Sequence, residues 1–251
     1  MLSTLTPHGE PPTYFTFRSL SELGVPHVTT TRHGAGIGAA RGEPSPFEGA
    51  ASAVLRRAGL AVERVAWARQ VHGADVARVD GAGGFAGQVD ALVTTTPDVP
   101  LAIFTADCLA IVLVDREARA LAVAHVGWRG TVRGAAQAAV AALVGAGARR
   151  ERMHAAVSPS IGPCCYEIDG PVIDAFATAY PERWRSWVAP SMRPGHFMLD
   201  LWGANTTLLV DAGLDPAHIE NARVCTACHL DTFYSYRKGN RGRLATVAAL
   251  P

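Results

Sequence analysis

Short apolar runs closed by turn residues recur along the chain and alternate with stretches of helical periodicity. The runs Val28–Thr31, Val65–Ala68, Ala91–Thr94, Leu101–Thr105, Ala110–Asp115, Leu121–His125, His154–Val157 and Leu244–Leu250 have the length and composition of strands. Helices are predicted over Ala51–Ala58, Thr131–Val144, Val172–Ala179 and Leu199–Ala212. The second, TVRGAAQAAVAALV, is rich in good helix formers and begins on Thr131, a suitable N-cap. Strands and helices interleaved throughout predict an α/β (α+β) fold with one mixed sheet system, because several strand pairs lie too close for a crossover helix. The stretch His33–Pro46, HGAGIGAARGEPSP, is dominated by Gly, Pro and small residues and reads as a flexible loop. The organisation expected is a single domain over residues 1–251, with residues 1–27 as an N-terminal segment and 33–46 as that loop.

Composition narrows the function classes. At 251 residues, 49% hydrophobic and 18% charged, the chain can bury a sizeable core. The net charge of +1 and the absence of a long run of one sign exclude an extended nucleic-acid surface. The Arg237, Lys238, Arg241 and Arg243 patch is short and reads either as a solvated edge or as an anion site. No stretch approaches the roughly 20 apolar residues that span a bilayer, and the N-terminus lacks a secretory pattern. A cytoplasmic location without membrane attachment is therefore expected. The five cysteines, an odd count, argue against a disulfide framework.

Three segments carry metal-ligand chemistry: Gln70–Gly73, Thr105–Cys108 and Ala124–Gly130. Each puts an imidazole or a thiol (His72, Cys108, His125) at the boundary between an apolar run and a turn, where strands deliver side chains into clefts. Two imidazoles and one thiolate form a common catalytic zinc set, with a fourth position left for water of lowered pKa. Spacing alone does not separate this from ordinary core residues.

Six segments then carry a resemblance: QVHGADV, DALVTTTPDVPLAIFTADCLAIVLVD, AVAHVGWRG, SPSIGPCCYEI, LDLWGANTTLL and CTACHLDTFYSYRKGNRGRLA. In this order they resemble the bacterial laccase-domain family, long labelled multicopper polyphenol oxidoreductase and also described as purine nucleoside phosphorylase and peptidoglycan editing factor. The resemblance spans about Val28 to Leu250. It implies zinc on His72, Cys108 and His125, phosphorolysis of adenosine, inosine and methylthioadenosine, deamination of adenosine, and a mixed α/β sandwich similar to toxin-type cysteine hydrolases. The segment TTRHGAGIGAARGEPSPFEGA departs from the family pattern: it keeps Thr30, Thr31 and Arg32 but lacks the usual Ser-Leu-Asn-Leu.

The chemistry implied needs an anion site beside a nucleoside. Arg129, flanked by glycines just before the predicted helix, is the first candidate, with Arg32 and Arg237 behind it. Asp107 or Asp75 would move protons in deamination, or Asp107 would orient a histidine. Cys165, in the Gly162–Glu167 turn, reads either as a nucleophile or as a thiol merely near the site. Tyr234 and Tyr236, if on a strand, would share a face and stack on a base or pack the core. Purine nucleoside and phosphate are thus the expected partners; the oligomeric state is left open.

Other readings are weighed against these. Cys225-Thr-Ala-Cys228-His229 matches a haem-attachment pattern, which normally requires export. A structural zinc at Cys225 and Cys228 would need a second pair, and only Cys164 and Cys165 remain. Multicopper chemistry needs paired His-x-His motifs, absent among the nine histidines, although copper competes for the same three ligands. The alternatives are a copper-dependent polyphenol oxidase activity, a cysteine hydrolase acting on peptidoglycan precursors through Cys108 or Cys165, and a metal-binding protein without turnover.

Overall fold

The computed structural model describes residues 4–34 and 45–251, and most of the loop expected at residues 33–46 lies outside them. Two sheets dominate. The first has seven strands in the order Leu5–His8, Tyr14–Phe17, His27–Thr30, Leu244–Ala248, Leu101–Thr105, Ala66–Trp67 and Gly84–Phe85. The second has six: Ile219–Asn221, His154–Val157, Leu109–Asp115, Ala120–Val126, Ala91–Thr94 and Val76–Arg78. Most neighbours are antiparallel, but Ala66–Trp67 pairs in parallel with both of its neighbours, Val76–Arg78 with Ala91–Thr94, and Ile219–Asn221 with His154–Val157. The mixed sheet expected from the short connections is thus present.

Side-chain alternation explains the layering. Along Leu109–Asp115, Ala110, Val112 and Val114 pack against Leu101 and Ile103 of the other sheet, while Leu109, Ile111 and Leu113 pack against helices. Along Leu101–Thr105, Ala102 and Phe104 turn outward onto Val54 and Leu55 of the helix Ala50–Arg57. The molecule is therefore a four-layer sandwich, helix on sheet on sheet on helices. Strands buried on both faces read as continuous apolar runs rather than alternating ones, which is the pattern the sequence shows. The expected α/β sandwich is the observed fold.

The helix predicted over Thr131–Val144 is two helices. Trp128–Val132 starts after Gly127 with no side-chain cap, and Ala135–Gly145 resumes after Gly134, whose φ is 77°. Thr131 is not an N-cap; its hydroxyl donates to the Gly127 carbonyl, 3.0 Å away, inside the first helix. Periodicity missed the break because Ala, Val and Leu continue on either side of Gly134. The N-terminal segment also carries more structure than its sequence suggests, since Leu5–His8 and Tyr14–Phe17 form the edge of the larger sheet.

One connection positions the site. The chain leaves the first sheet at Thr105 and enters the second at Leu109, so Ala106, Asp107 and Cys108 form a corner between the sheets. Asp107 takes a φ of 85° there, a conformation that costs a non-glycine residue on the order of 1–2 kcal/mol.

Candidate metal centre

The hairpin between Leu109–Asp115 and Ala120–Val126 is in register with His125 opposite Ala110, which brings His125 beside Cys108 at the corner. His72 arrives from the loop before Val76–Arg78 and carries a φ of 58°. One ligand atom from each of the three residues lies within 4.8 Å of the others. The imidazole rings of His72 and His125 meet edge to face, with centroids 4.8 Å apart.

A fourth residue holds this arrangement, and sequence reasoning did not single it out. Asp90 is fully buried at the head of the strand Ala91–Thr94. Its carboxylate accepts the backbone N–H groups of Val71, His72 and Gly73 at 3.2, 2.9 and 2.6 Å. It also accepts from Nδ1 of His125 at 2.8 Å, while the Asp90 carbonyl takes the His125 backbone N–H at 2.7 Å. One carboxylate thus fixes the strained His72 loop and the tautomer of His125, leaving Nε2 to face Cys108. Burial opposes its charge, but the His125 and backbone donors prevail and hold its pKa below the usual range. The signal in the sequence was slight: an Asp just ahead of the short buried strand Ala91–Thr94.

Electrostatics favour the thiolate at Cys108. Burial alone would raise the Cys108 pKa, but the charge and hydrogen bonds of His125 and His72 lower it to about 6. Burial likewise disfavours the His125 imidazolium, yet Cys108 and Asp90 raise its pKa to about 9. Gly127 completes the cradle: a Cβ there would lie 2.8 Å from Cys108 Sγ and 3.5 Å from His72 Cδ2. The residues present fit a metal ion held by two imidazoles and a thiolate.

The centre opens onto a cavity of about 420 Å³, bordered by Gln70, Phe104, Arg129, Tyr236 and Arg243. A neighbouring lobe of about 240 Å³ shares His72, Cys108 and Arg129 and adds Tyr166 and Arg237. Arg129 lies over the Trp128 ring at 4.2 Å, and Arg237 lies over Tyr166 at 5.3 Å while its Nη1 donates to the Glu167 carbonyl at 2.8 Å.

The other sequence candidates divide. Asp107 does not touch a histidine; its carboxylate accepts from Thr226 Oγ1, Ser235 Oγ and the Arg237 N–H at 2.6, 3.1 and 2.7 Å. The carboxylate on His125 is Asp90. Asp75 is exposed, and its carbonyl accepts the N–H groups of Asp90 and Ala91. Arg32 turns away, donating to the Leu230 carbonyl and covering Tyr234. Residues 231–240 form turns rather than a strand, so the two tyrosines do not share a face. Tyr234 packs under Gly242, and Tyr236 is the one that borders the cavity. Among the described residues Cys165 makes no hydrogen bond to a histidine. Its Sγ sits 3.4 Å from Cys228, and burial together with its thiol neighbours pushes its pKa up to about 11.

Residues 39–251 match the family model described as multi-copper polyphenol oxidoreductase laccase. The chain belongs to this laccase family. A relative from Deinococcus radiodurans, named purine nucleoside phosphorylase, is 39% identical over 241 residues, covering 91% of this chain and 90% of that one. Adenosine deaminase RL5, from an unknown prokaryotic organism, is 39% identical over 160 residues, 63% of this chain and 61% of its own length. The crystal structure of YlmD from Geobacillus stearothermophilus superposes with a TM-score of 0.82 at 27% identity, over 97% of this chain and 98% of that one. The overall fold of this laccase-family chain is therefore shared with YlmD. Among the described residues no helix is long and apolar enough to cross a membrane.

Proposed function

We propose that the chain is a zinc-dependent purine nucleoside phosphorylase, acting on adenosine, inosine and methylthioadenosine, with adenosine deamination as a second activity. The observation that carries this reading is the three-ligand centre opening onto a cavity bordered by arginines. His72, Cys108 and His125 would hold the ion, which in a three-ligand site supplies a Lewis acid and a water of near-neutral acidity. Arg129 and Arg237 bind phosphate beside the nucleoside; their guanidinium forks suit its oxygens. Tyr236, exposed at the rim, offers a face for the base. Asp90 orients His125 and the His72 loop, while Asp107 braces the C-terminal turns. Because three donors engage its carboxylate, Asp107 is poorly placed to shuttle protons. The names borne by the Deinococcus and RL5 relatives support both activities.

One observation favours a second reading. Cys108, His125 and Asp90 are linked in the order thiol, imidazole, carboxylate, the arrangement of a cysteine hydrolase. Product chromatography from a nucleoside panel, with and without phosphate, tests the first reading. Free base and ribose 1-phosphate should form only with phosphate, and His72→Ala and chelation should abolish turnover. Arg129→Ala should raise the KM for phosphate far more than it slows deamination. Base release without phosphate, or equal turnover by Cys108→Ala, refutes the phosphorylase reading. Hydrolysis of a peptidoglycan precursor that survives chelation and His72→Ala but not Cys108→Ala would establish the second.

A further inference from the structure

Four of the five cysteines lie outside the metal centre, and the fold brings them together. Cys164 and Cys165 sit in the turn closed by the N–H groups of Cys165 and Tyr166 on the Gly162 carbonyl, each 3.0 Å away. Cys225 and Cys228 sit in a second turn, where the Cys228 N–H donates to the Cys225 carbonyl at 3.2 Å. An isolated parallel bridge between Ser160 and Cys225 fastens one turn to the other, with Ser160 N–H on Val224 O at 3.1 Å and Thr226 N–H on Ser160 O at 3.0 Å. All four Sγ atoms lie within 4.8 Å of one another. Cys228 Sγ is 3.5 Å from Cys164 and 3.4 Å from Cys165.

These distances suit an ion better than unrelated thiols. Zn–S bonds of about 2.3 Å in a tetrahedron set the sulfurs about 3.8 Å apart, so the set needs only sub-ångström to ångström adjustments to close on one centre. The Gly162 N–H donates to Cys225 Sγ at 3.2 Å, which supports negative charge on that sulfur. Cys225 is buried while Cys164 and Cys228 are exposed, which gives an entry path from solvent. The laccase-type reading of the first centre makes no use of any of the four.

We propose that Cys164, Cys165, Cys225 and Cys228 form a second, structural site for a thiophilic divalent ion, of which zinc is the type. Binding exchanges the protons still held by the four thiols for four metal–sulfur bonds, with no change of oxidation state. Four protein ligands leave no open position, so the site is a clamp. It clamps the turn that carries Thr226, whose hydroxyl donates to Asp107 at 2.6 Å, one residue from Cys108. The site thereby stiffens the wall of the first centre without touching it.

Metal analysis of protein purified under reductant tests this. The wild type should hold about two equivalents of zinc. His72→Ala should lose one, and Cys225→Ser/Cys228→Ser should lose the other. In His72→Ala the four thiols are untouched, so cobalt exchanged into that variant should show the thiolate-to-cobalt charge-transfer bands of a tetrathiolate centre; this readout survives misfolding of the cysteine variant. If the wild type holds one equivalent that only the cysteine variant loses, the clamp stands and the reading of the first centre fails. Metal-free His72→Ala without such bands overturns the clamp, as does a disulfide among these four cysteines in the reduced preparation.

Discussion

Gly127→Ala is the most discriminating change at the first centre, because its backbone is blameless. Gly127 has φ −90° and ψ −174°, which alanine adopts without strain, so any effect comes from the added methyl. That methyl would start 2.8 Å from Cys108 Sγ. Carbon and sulfur pack at about 3.6 Å or more, so the thiolate must retreat by nearly an ångström, several times the ±0.2 Å that a metal bond tolerates. The same methyl would stand 3.5 Å from His72 Cδ2, so it touches two of the three ligands at once. The expected result is zinc affinity at the first centre weakened by about 10–100-fold, or about 1.4–2.8 kcal/mol, the scale seen when the surroundings of a metal ligand are altered. Competition against a chromophoric chelator measures it, with Cys225→Ser/Cys228→Ser as the parent so that one centre is read. Gly130→Ala is the control: its methyl would meet Ala135 Cβ at 3.4 Å, an ordinary contact, and affinity should stay within about twofold. Wild-type zinc affinity in Gly127→Ala would refute the claim that the glycine makes room for the ion.

Two further outcomes follow from buried titrations. In metal-stripped protein, alkylation of Cys108 by iodoacetamide should rise with a midpoint near pH 6 instead of near pH 9; an unshifted midpoint would dissolve the proposed coupling to His125. Burial of His27, which accepts the Phe17 N–H at 2.6 Å, lowers its pKa from 6.5 to about 4. The unfolded chain therefore binds the extra proton first, so stability is lost as pH falls through 6.5 toward 4, by about 3 kcal/mol in full. Urea unfolding at pH 7 and pH 4 should show this loss in the wild type and a smaller one in His27→Gln; equal losses would count against it.

How much was legible beforehand follows from what each feature depends on. The eight predicted strand runs all contain strands, because burial on both faces leaves a continuous apolar run that needs no partner to be known in advance. Among the short strands, Ala66–Trp67 lies inside the predicted run Val65–Ala68, but Gly84–Phe85 was not legible, because its pairing depends on Ala66–Trp67 rather than on any pattern of its own. His72, Cys108 and His125 stood out by chemistry and by resemblance, and the fold gathers them. Asp90 stayed hidden because its value lies in four donors that only the folded His72 loop and the adjacent strand supply. Tyr234 and Tyr236 were mispaired because residues 231–240 follow turn geometry set by Asp107 rather than any period of their own.

The reach of Asp107 bears on how the protein matures. Its three donors come from positions 119, 128 and 130 residues further along the chain. Ribosomes deliver about 5–20 residues per second, so the corner carrying Cys108 exists for several seconds before its brace emerges. The strand Leu244–Ala248, which docks beside Leu101–Thr105, emerges later than these donors. On the proposed reading, a nascent chain that has made Cys108 but not these donors offers loose ligands without a finished centre, so stable metal capture waits for residues 226–237 to emerge.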